Sequence, residues 1–252
     1  MIKIMIFLSL FCLGQISYAE PNKLQGPDSI FLKASLYYKA AQYDEAIAQY
    51  YLLIRQGVES GSLFYNLGNC YLKKGQFGKA ILNYERAKRI IPSDADLIAN
   101  NQYARSLIKG ASPQEATAWD EKIFERSLGR LSPDGLIIFL SAIYTLFMII
   151  LITRTYSIRM RKYSLAVIAI LLALFILGSL SFYEKVSAIG KEAITMTDKA
   201  DVKFQPFEKA PFHFALYEGM KIRILRIEGD WVKILTPDKK TGWIQVLHIE
   251  VI

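Results

Sequence analysis

Histidine is the side chain most often used for proton transfer and metal binding near neutral pH, and this chain contains only His213 and His248. Neither sits in a spacing such as His-Glu-x-x-His, which would set two imidazoles on one helix face to grip a metal. No serine occupies a Gly-x-Ser-x-Gly turn, and no glycine-rich segment has the spacing of a phosphate loop. Catalysis would fall to scattered carboxylates such as Glu184 and Asp201, so the chain reads as a non-enzyme that requires no metal or cofactor. Cys12 lies in the N-terminal apolar stretch, and its removal would leave Cys70 without a disulfide partner. With no histidine or cysteine near it, Cys70 reads as a small apolar residue buried in a helix.

The elements that carry these residues are set first by two uncharged apolar runs, 136–153 and 164–183, on either side of the basic segment Arg154, Arg159, Arg161 and Lys162. Each run can cross a hydrocarbon core of about 30 Å as a helix. Basic residues in so short a connection favour the cytoplasmic side, which makes 154–163 a cytoplasmic loop and puts both flanking regions outside. The expected location is the bacterial inner membrane, with two crossings and both larger modules periplasmic. The formal net charge of +8 includes Lys3 and these four basic residues. What remains is too small and too dispersed for a nucleic-acid footprint.

Lys3, the apolar stretch from Ile4 to Leu13, and Ser17-Tyr18-Ala19 have the layout of a signal peptide covering 1–19, with cleavage before Glu20. An uncleaved anchor is the alternative, and both leave the following segment outside.

Residues 29–109 read as helix with an internal period. Tyr37, Tyr43, Ala46 and Tyr50 recur, each at one and the same spacing, as Tyr71, Phe77, Ala80 and Tyr84. The two alanines mark close helix crossings and the aromatics fill the space between hairpins. The second unit, from Ser62 to Pro92, carries Leu67-Gly68, Tyr71, Gly75-Gln76-Phe77, Ala80, Tyr84, Ala87 and Pro92, and closely resembles the tetratricopeptide pattern. The first unit departs from it at Ala34, Leu53 and Val58. Asp94 to Ile108 supplies one further helix, with Asp94 as N-cap and Ile98, Tyr103 and Leu107 on its apolar side, and reads as a capping helix. The resemblance implies a concave face lined by Tyr38, Lys39, Tyr65, Asn69, Lys73 and Tyr103. Tyrosine and asparagine supply contact area and hydrogen bonds, and the lysines suit an acidic peptide segment.

Between this module and the first run, 110–135 holds Trp119, Phe124 and Leu128 at roughly helical spacing. It is either an amphipathic helix at the membrane surface or a plain linker. After Tyr183 the pattern changes to short strands at Ala193–Met196, Lys221–Arg226, Trp231–Leu235 and Gly242–Val246, separated by turn-forming residues. The succession Leu216-Tyr217-Glu218-Gly219, Lys221 to Leu225, Gly229 to Ile234 and Thr241 to Ile244 resembles bacterial SH3 domains over 190–252. That implies a small all-β SH3-like barrel, with Asp201 to Pro206 making a bulkier turn than the family's. Pro206, Trp231 and Trp243 are placed at an aromatic-sided cleft or in the barrel core, and Trp231, alternating with Lys233, is expected in the core.

The whole is a multidomain membrane protein of all-α repeats, a transmembrane hairpin and a small β module. This order resembles the BatE-type proteins of the Bacteroides aerotolerance operon. The resemblance implies a scaffold or adaptor in a cell-envelope complex, linked to stress tolerance, with partners that carry von Willebrand factor A domains. The other reading is an anchor or sensor that holds cell-wall peptide through the SH3-like module, an analogy of fold alone.

Overall fold

A computed structural model of the chain describes residues 26–108, 131–156 and 158–252. The expected signal peptide at 1–19 and the segment carrying Trp119, Phe124 and Leu128 lie outside the described residues.

Among the described residues five helices form the first module: α1 (Pro27–Lys39), α2 (Tyr43–Arg55), α3 (Gly61–Lys73), α4 (Phe77–Ile90) and α5 (Ala95–Ser106). Their ends follow from local chemistry. Pro27 opens α1, where a missing N–H costs nothing. The Ser60 hydroxyl accepts from Leu63 N at 3.2 Å to cap α3, which was not expected, and the Asp94 carboxylate accepts from Leu97 N at 2.8 Å as the expected cap of α5. The period seen in the sequence extends to the turns inside each hairpin. Gln42 N donates to Tyr37 O at 2.9 Å and Gln76 N to Tyr71 O at 3.0 Å. The residue before each glutamine has positive φ, 58° at Ala41 and 70° at Gly75. The first unit thus makes with alanine a turn that the second makes with the residue suited to it.

Packing repeats with the same period. Ala34, Ala46, Ala80, Tyr50 and Tyr84 are all buried. Gly68, which stands where the first unit has Ala34, lets α3 and α4 approach so closely that a Cβ would lie 2.6 Å from the Tyr84 ring. On α5 the buried residues are Leu97, Asn101 and Ala104, whereas Ile98, Tyr103 and Leu107 are exposed. The expected apolar side of this helix is therefore corrected. Among the described residues it packs chiefly on α4, and that close crossing takes small Ala104 and a hydrogen-bonded Asn101 in preference to larger apolar side chains.

Two long helices follow, α6 (Pro133–Tyr156) and α7 (Ile158–Ala188), packed against each other. They run past the expected 136–153 and 164–183, so most of the basic segment 154–163 is helical and not an open loop. Both are long and apolar enough to cross a membrane, and most of their apolar side chains, Ile138 and Ile170 among them, are exposed. Twenty-four residues of helix reach about 36 Å. A Cβ on Gly178 would lie 2.8 Å from Leu140, which marks the close approach within the pair.

Seven antiparallel strands complete the chain: β1 (Glu192–Thr195), β2 (Lys199–Lys203), β3 (Phe212–Tyr217), β4 (Lys221–Glu228), β5 (Trp231–Leu235), β6 (Thr241–Gln245) and β7 (Ile249–Val251), with a 3-10 turn, Val246–His248, before β7. Their order is β3-β2-β6-β5-β4-β1-β7. The outer strands β3 and β7 do not pair with each other, so the sheet is not closed into the expected barrel. β2, β3 and β7 were not expected, and Asp201 to Lys203, expected in a turn, lie inside β2. The core of the sheet is Ala193, Ala200, Val202, Leu216, Ile222, Val232, Ile234 and Ile244. Gly242 is required by proximity, since a Cβ there would meet Val202 Cγ1 at 2.4 Å and the Lys203 carbonyl at 3.2 Å.

The helical module and the sheet share one interface. Ala193 of β1 belongs to the sheet core while its neighbour Ile194 is buried in the helical core. The turn between β3 and β4 seats Gly219 (φ 77°) where a Cβ would meet Ile81 and Ile108. Beside it, the Glu218 carboxylate accepts from Gly78 N at 2.7 Å. Helix α4 has no side-chain cap of its own, so a residue 140 positions away in the chain supplies the anion at its N-terminus.

Candidate partner-binding face and module junction

The first helices of successive hairpins form one face of the repeat stack, with α3 in contact with α1 on one side and α5 on the other. Tyr65 and Asn69, one turn apart on α3, share the face with Asn100 of α5. Asn100 Nδ2 donates to Tyr65 Oη at 3.0 Å and to Asn69 Oδ1 at 2.9 Å, and Tyr84 Oη donates to the same Asn69 oxygen at 2.7 Å. The Tyr65 and Tyr84 rings lie 6.1 Å apart, tilted by 40°, and Tyr38 lies 5.6 Å from Tyr43. Partial burial raises the Tyr38 phenol above its ordinary value, with Cys70, Tyr43 and Tyr65 adding to the shift, so Tyr38 belongs to the same neighbourhood. Neutral hydroxyl and amide groups, positioned by hydrogen bonds and half open to solvent, make a surface for hydrogen-bonded contact.

Of the six residues expected on this face, Tyr38, Tyr65 and Asn69 come together in that way. Lys39 and Lys73, at equivalent positions of the two units, end α1 and α3 and are exposed there, where a cation also favours the helix dipole. Tyr103 stands one turn beyond Asn100 and is exposed. Asn100 itself was missed. Its signal was the period, since Asn66 holds the equivalent position one repeat earlier.

Cys70, between these residues on α3, is fully buried, and burial pushes its thiol up to about 12. At neutral pH that leaves roughly a thousandfold less thiolate than a free cysteine near 8.5 would have. In a Cys12→Ser background, a disulfide reagent such as DTNB is therefore expected to leave Cys70 unlabelled in the folded protein and to label it fully in denaturant. Prompt labelling without denaturant would contradict the buried assignment.

A second cluster joins the modules. Glu85 of α4, with its side chain 7% exposed, accepts from Asn101 Nδ2 at 2.7 Å and pairs with Arg105 and Lys221, each at 3.1 Å. Lys221 of β4 also reaches Glu192 of β1 at 2.9 Å, and Arg89 reaches Glu192 at 3.4 Å. Arg86 pairs with Glu250 at 3.1 Å and donates to the Val251 carbonyl at 2.9 Å, and Arg89 donates to the Ile252 carbonyl. Burial alone would raise the Glu85 carboxyl, but Lys221, Arg105 and Lys88, with the Asn101 hydrogen bond, hold it far below the usual carboxylate range. Burial likewise works against the Lys221 ammonium, and Glu85 and Glu192 outweigh it and raise that group. No local pattern announces these pairs.

The third expected site departs from its prediction. Val232, Ile234 and Ile244 face the sheet core, and the alternate residues Trp231, Lys233, Trp243 and Gln245 share the other face. Trp231 is therefore not a core residue. It is half-buried on the outer face, with Lys203 Nζ 5.4 Å above its ring. Trp243 is buried outside the core cluster, paired in register with Lys203 and Lys233. Pro206 is half-buried in the turn after β2. That turn is tied back by bonds of Glu208 to Lys203 and Gln245.

Compared with known protein families, residues 62–94 match the tetratricopeptide repeat. The match falls on the α3–α4 hairpin and the turn that follows it, so the chain carries a tetratricopeptide repeat within a stack of helical hairpins. Such repeats are interaction modules, typically without catalysis of their own, and they imply protein partners. No curated protein matches the chain.

Proposed function

We propose that this protein is a non-enzymatic scaffold or adaptor, held in a bacterial inner membrane by α6 and α7, that captures a protein partner on the α1/α3/α5 face. The observation that carries this reading is the open face itself, on which Tyr65, Asn69 and Asn100 are fixed by mutual hydrogen bonds beside exposed Lys39, Lys73 and Tyr103. An acidic, extended or helical segment of a partner is its natural complement. Both modules are taken to lie on the periplasmic side. The ion pairs between them require a common side, and two crossings around a basic connection provide it.

The module order, with the sheet taken as an SH3-like domain, supports the likeness to BatE-type proteins, and with it partners bearing von Willebrand factor A domains in an envelope complex of stress tolerance. A second reading, capture of cell-wall peptide on the β module, draws on the outward Trp231 with Lys203 above it. The two are separated by pull-down of the full chain from native membranes in mild detergent. Lys39→Glu with Lys73→Glu is expected to lower retention of von Willebrand factor A proteins roughly tenfold, as reversal of interface charges does. Retention unchanged by that double variant, together with peptidoglycan lost on Trp231→Ala, would overturn the scaffold reading in favour of the wall anchor.

A further inference from the structure

Leu140 of α6 lies against Gly178 of α7, and Ile143, one turn further along the same side, is buried. Ser141, Tyr144, Thr145 and Met148 share the remaining side of α6 and are exposed. Three of these four carry a hydroxyl, in a helix otherwise apolar through its middle. Tyr144 stands 11 residues after Pro133 and 12 before Tyr156, about 16–18 Å from either end of the helix. That is the centre of a hydrocarbon core of about 30 Å. Tyrosine in a spanning helix ordinarily sits at the headgroup level, which a phenol at this depth does not reach.

Ser141 and Thr145 place their hydrogens on their own helix. Ser141 Oγ donates to the Ile137 carbonyl and Thr145 Oγ1 to the Ser141 carbonyl, each at 2.8 Å. Both oxygens can still accept. Tyr144, 57% exposed, makes no hydrogen bond among the described residues, and lipid tails offer it no acceptor. The face thus presents one donor in need of a partner beside two acceptors with lone pairs to spare.

We infer that α6 pairs across this face with α6 of a second copy of the chain, the Tyr144 hydroxyl of each donating to Thr145 or Ser141 of the other. Copies in one membrane share one orientation, so a twofold axis along the bilayer normal sets equal residues at equal depth. Thr145 then lies about 1.5 Å, and Ser141 about 4.5 Å, along the axis from the opposing Tyr144. A phenol bridges those offsets between helices packed about 8–10 Å apart. Another membrane protein would have to offer an acceptor at this same depth, whereas a second copy does so by symmetry. The pairing rests on the membrane reading of α6 and α7.

The test uses the full chain. In native membranes and a Cys12→Ser background, where Cys70 is buried, copper phenanthroline is expected to link Met148→Cys into dimers. Ile170→Cys, on the exposed side of α7, is expected to stay monomeric. Sedimentation in mild detergent then measures association. Tyr144→Phe keeps both rings and removes two interhelical hydrogen bonds per dimer, so association is expected to weaken about tenfold, about 1.4 kcal/mol. Ser141→Ala with Thr145→Ala is expected to weaken it as much, and adding Tyr144→Phe to that pair to cost nothing further. Monomer throughout, equal cross-linking at the two positions, or a dimer that Tyr144→Phe leaves untouched overturns the proposal. A different membrane protein that co-purifies with the parent chain and is lost from Tyr144→Phe overturns it too, because that protein would be the occupant. Alkaline extraction of native membranes reports on anchoring separately. Release of the protein sinks the membrane reading, whereas retention of a monomer sinks this pairing alone.

Discussion

Glu85→Ala is expected to separate the β module from the helical repeats. The substitution leaves Lys221, Arg105 and the buried Asn101 amide without their shared carboxylate. Breaking a buried ion pair costs about 3–5 kcal/mol. The lower end applies, because Lys221 keeps Glu192 at 2.9 Å and both cations retain some solvent access. Glu85→Gln keeps a hydrogen-bond acceptor and removes only the charge, so a smaller loss is expected. Hydrogen exchange across β1 and α4 measures the effect directly. Faster exchange confined to these elements is expected for Glu85→Ala, and unchanged exchange would show that apolar contacts such as Ile194 suffice for docking.

The same cluster fixes the sign of the pH dependence. The Glu85 carboxyl is held low in the folded protein, so its contribution is fully present above the ordinary carboxylate pKa of about 4.3 and is lost as pH falls through the folded value. The Lys221 ammonium is raised, so its contribution is present below about 10.4 and is lost as pH rises through the folded value. Docking is thus insensitive to pH across the neutral range and weakens at both extremes.

Gly68→Val is the second large effect. Even a lone Cβ at this position would sit 2.6–2.7 Å from the Tyr84 ring and 3.2 Å from the Ala80 carbonyl. The ring cannot turn aside freely, because its hydroxyl is bound to Asn69 at 2.7 Å, and the carbonyl is part of α4. Over-packing of this kind costs roughly 1–3 kcal/mol, and the branched side chain favours the upper end. Thermal unfolding of the full chain followed by circular dichroism is expected to begin at lower temperature, with partner capture reduced as Asn69 is displaced. A variant as stable as the parent would mean that α3 and α4 separate more easily than their packing implies. The first hairpin carries Ala34 at the same place, where it is fully buried.

What could be read from the sequence was whatever repeats or is uniform. The helical period is visible because Tyr50 and Tyr84, or Ala46 and Ala80, must meet the same surroundings twice. Two uncharged runs are visible because composition alone defines them. Within the candidate face, Tyr65 and Asn69 followed from the tetratricopeptide resemblance, whereas Asn100, which the period marks through Asn66, was missed. It belongs to an incomplete unit whose polar residues serve packing, and Asn101 hidden against Glu85 disguises which side of α5 faces inward. In the sheet, alternation of apolar residues marked β5, whereas Lys199–Lys203 carries few apolar residues and Ile249–Val251 is only three residues long, so that only their neighbours make them strands. Trp231 was misjudged because its place in the alternation with Lys233 was read as inward, while the pleat gives that role to Val232 and Ile234. The junction was not legible at all, since its pairs link residues more than 100 positions apart in the chain.

Helix α7 passes into β1 through Ile189, Gly190 and Lys191, with Gly190 at φ 72° and Lys191 O accepting from Ile224 N at 2.7 Å. So brief a connection is a rigid mount and not a leash. With the repeats docked on that sheet, the proposed membrane reading gives the candidate face a set height and heading above the bilayer. A partner confined to the same membrane then searches in two dimensions and arrives with its tilt already restricted, so less translational and rotational freedom remains to be lost on capture. On that reading, weak individual contacts on the α1/α3/α5 face would be enough for such a partner and too weak to hold it once it left the membrane.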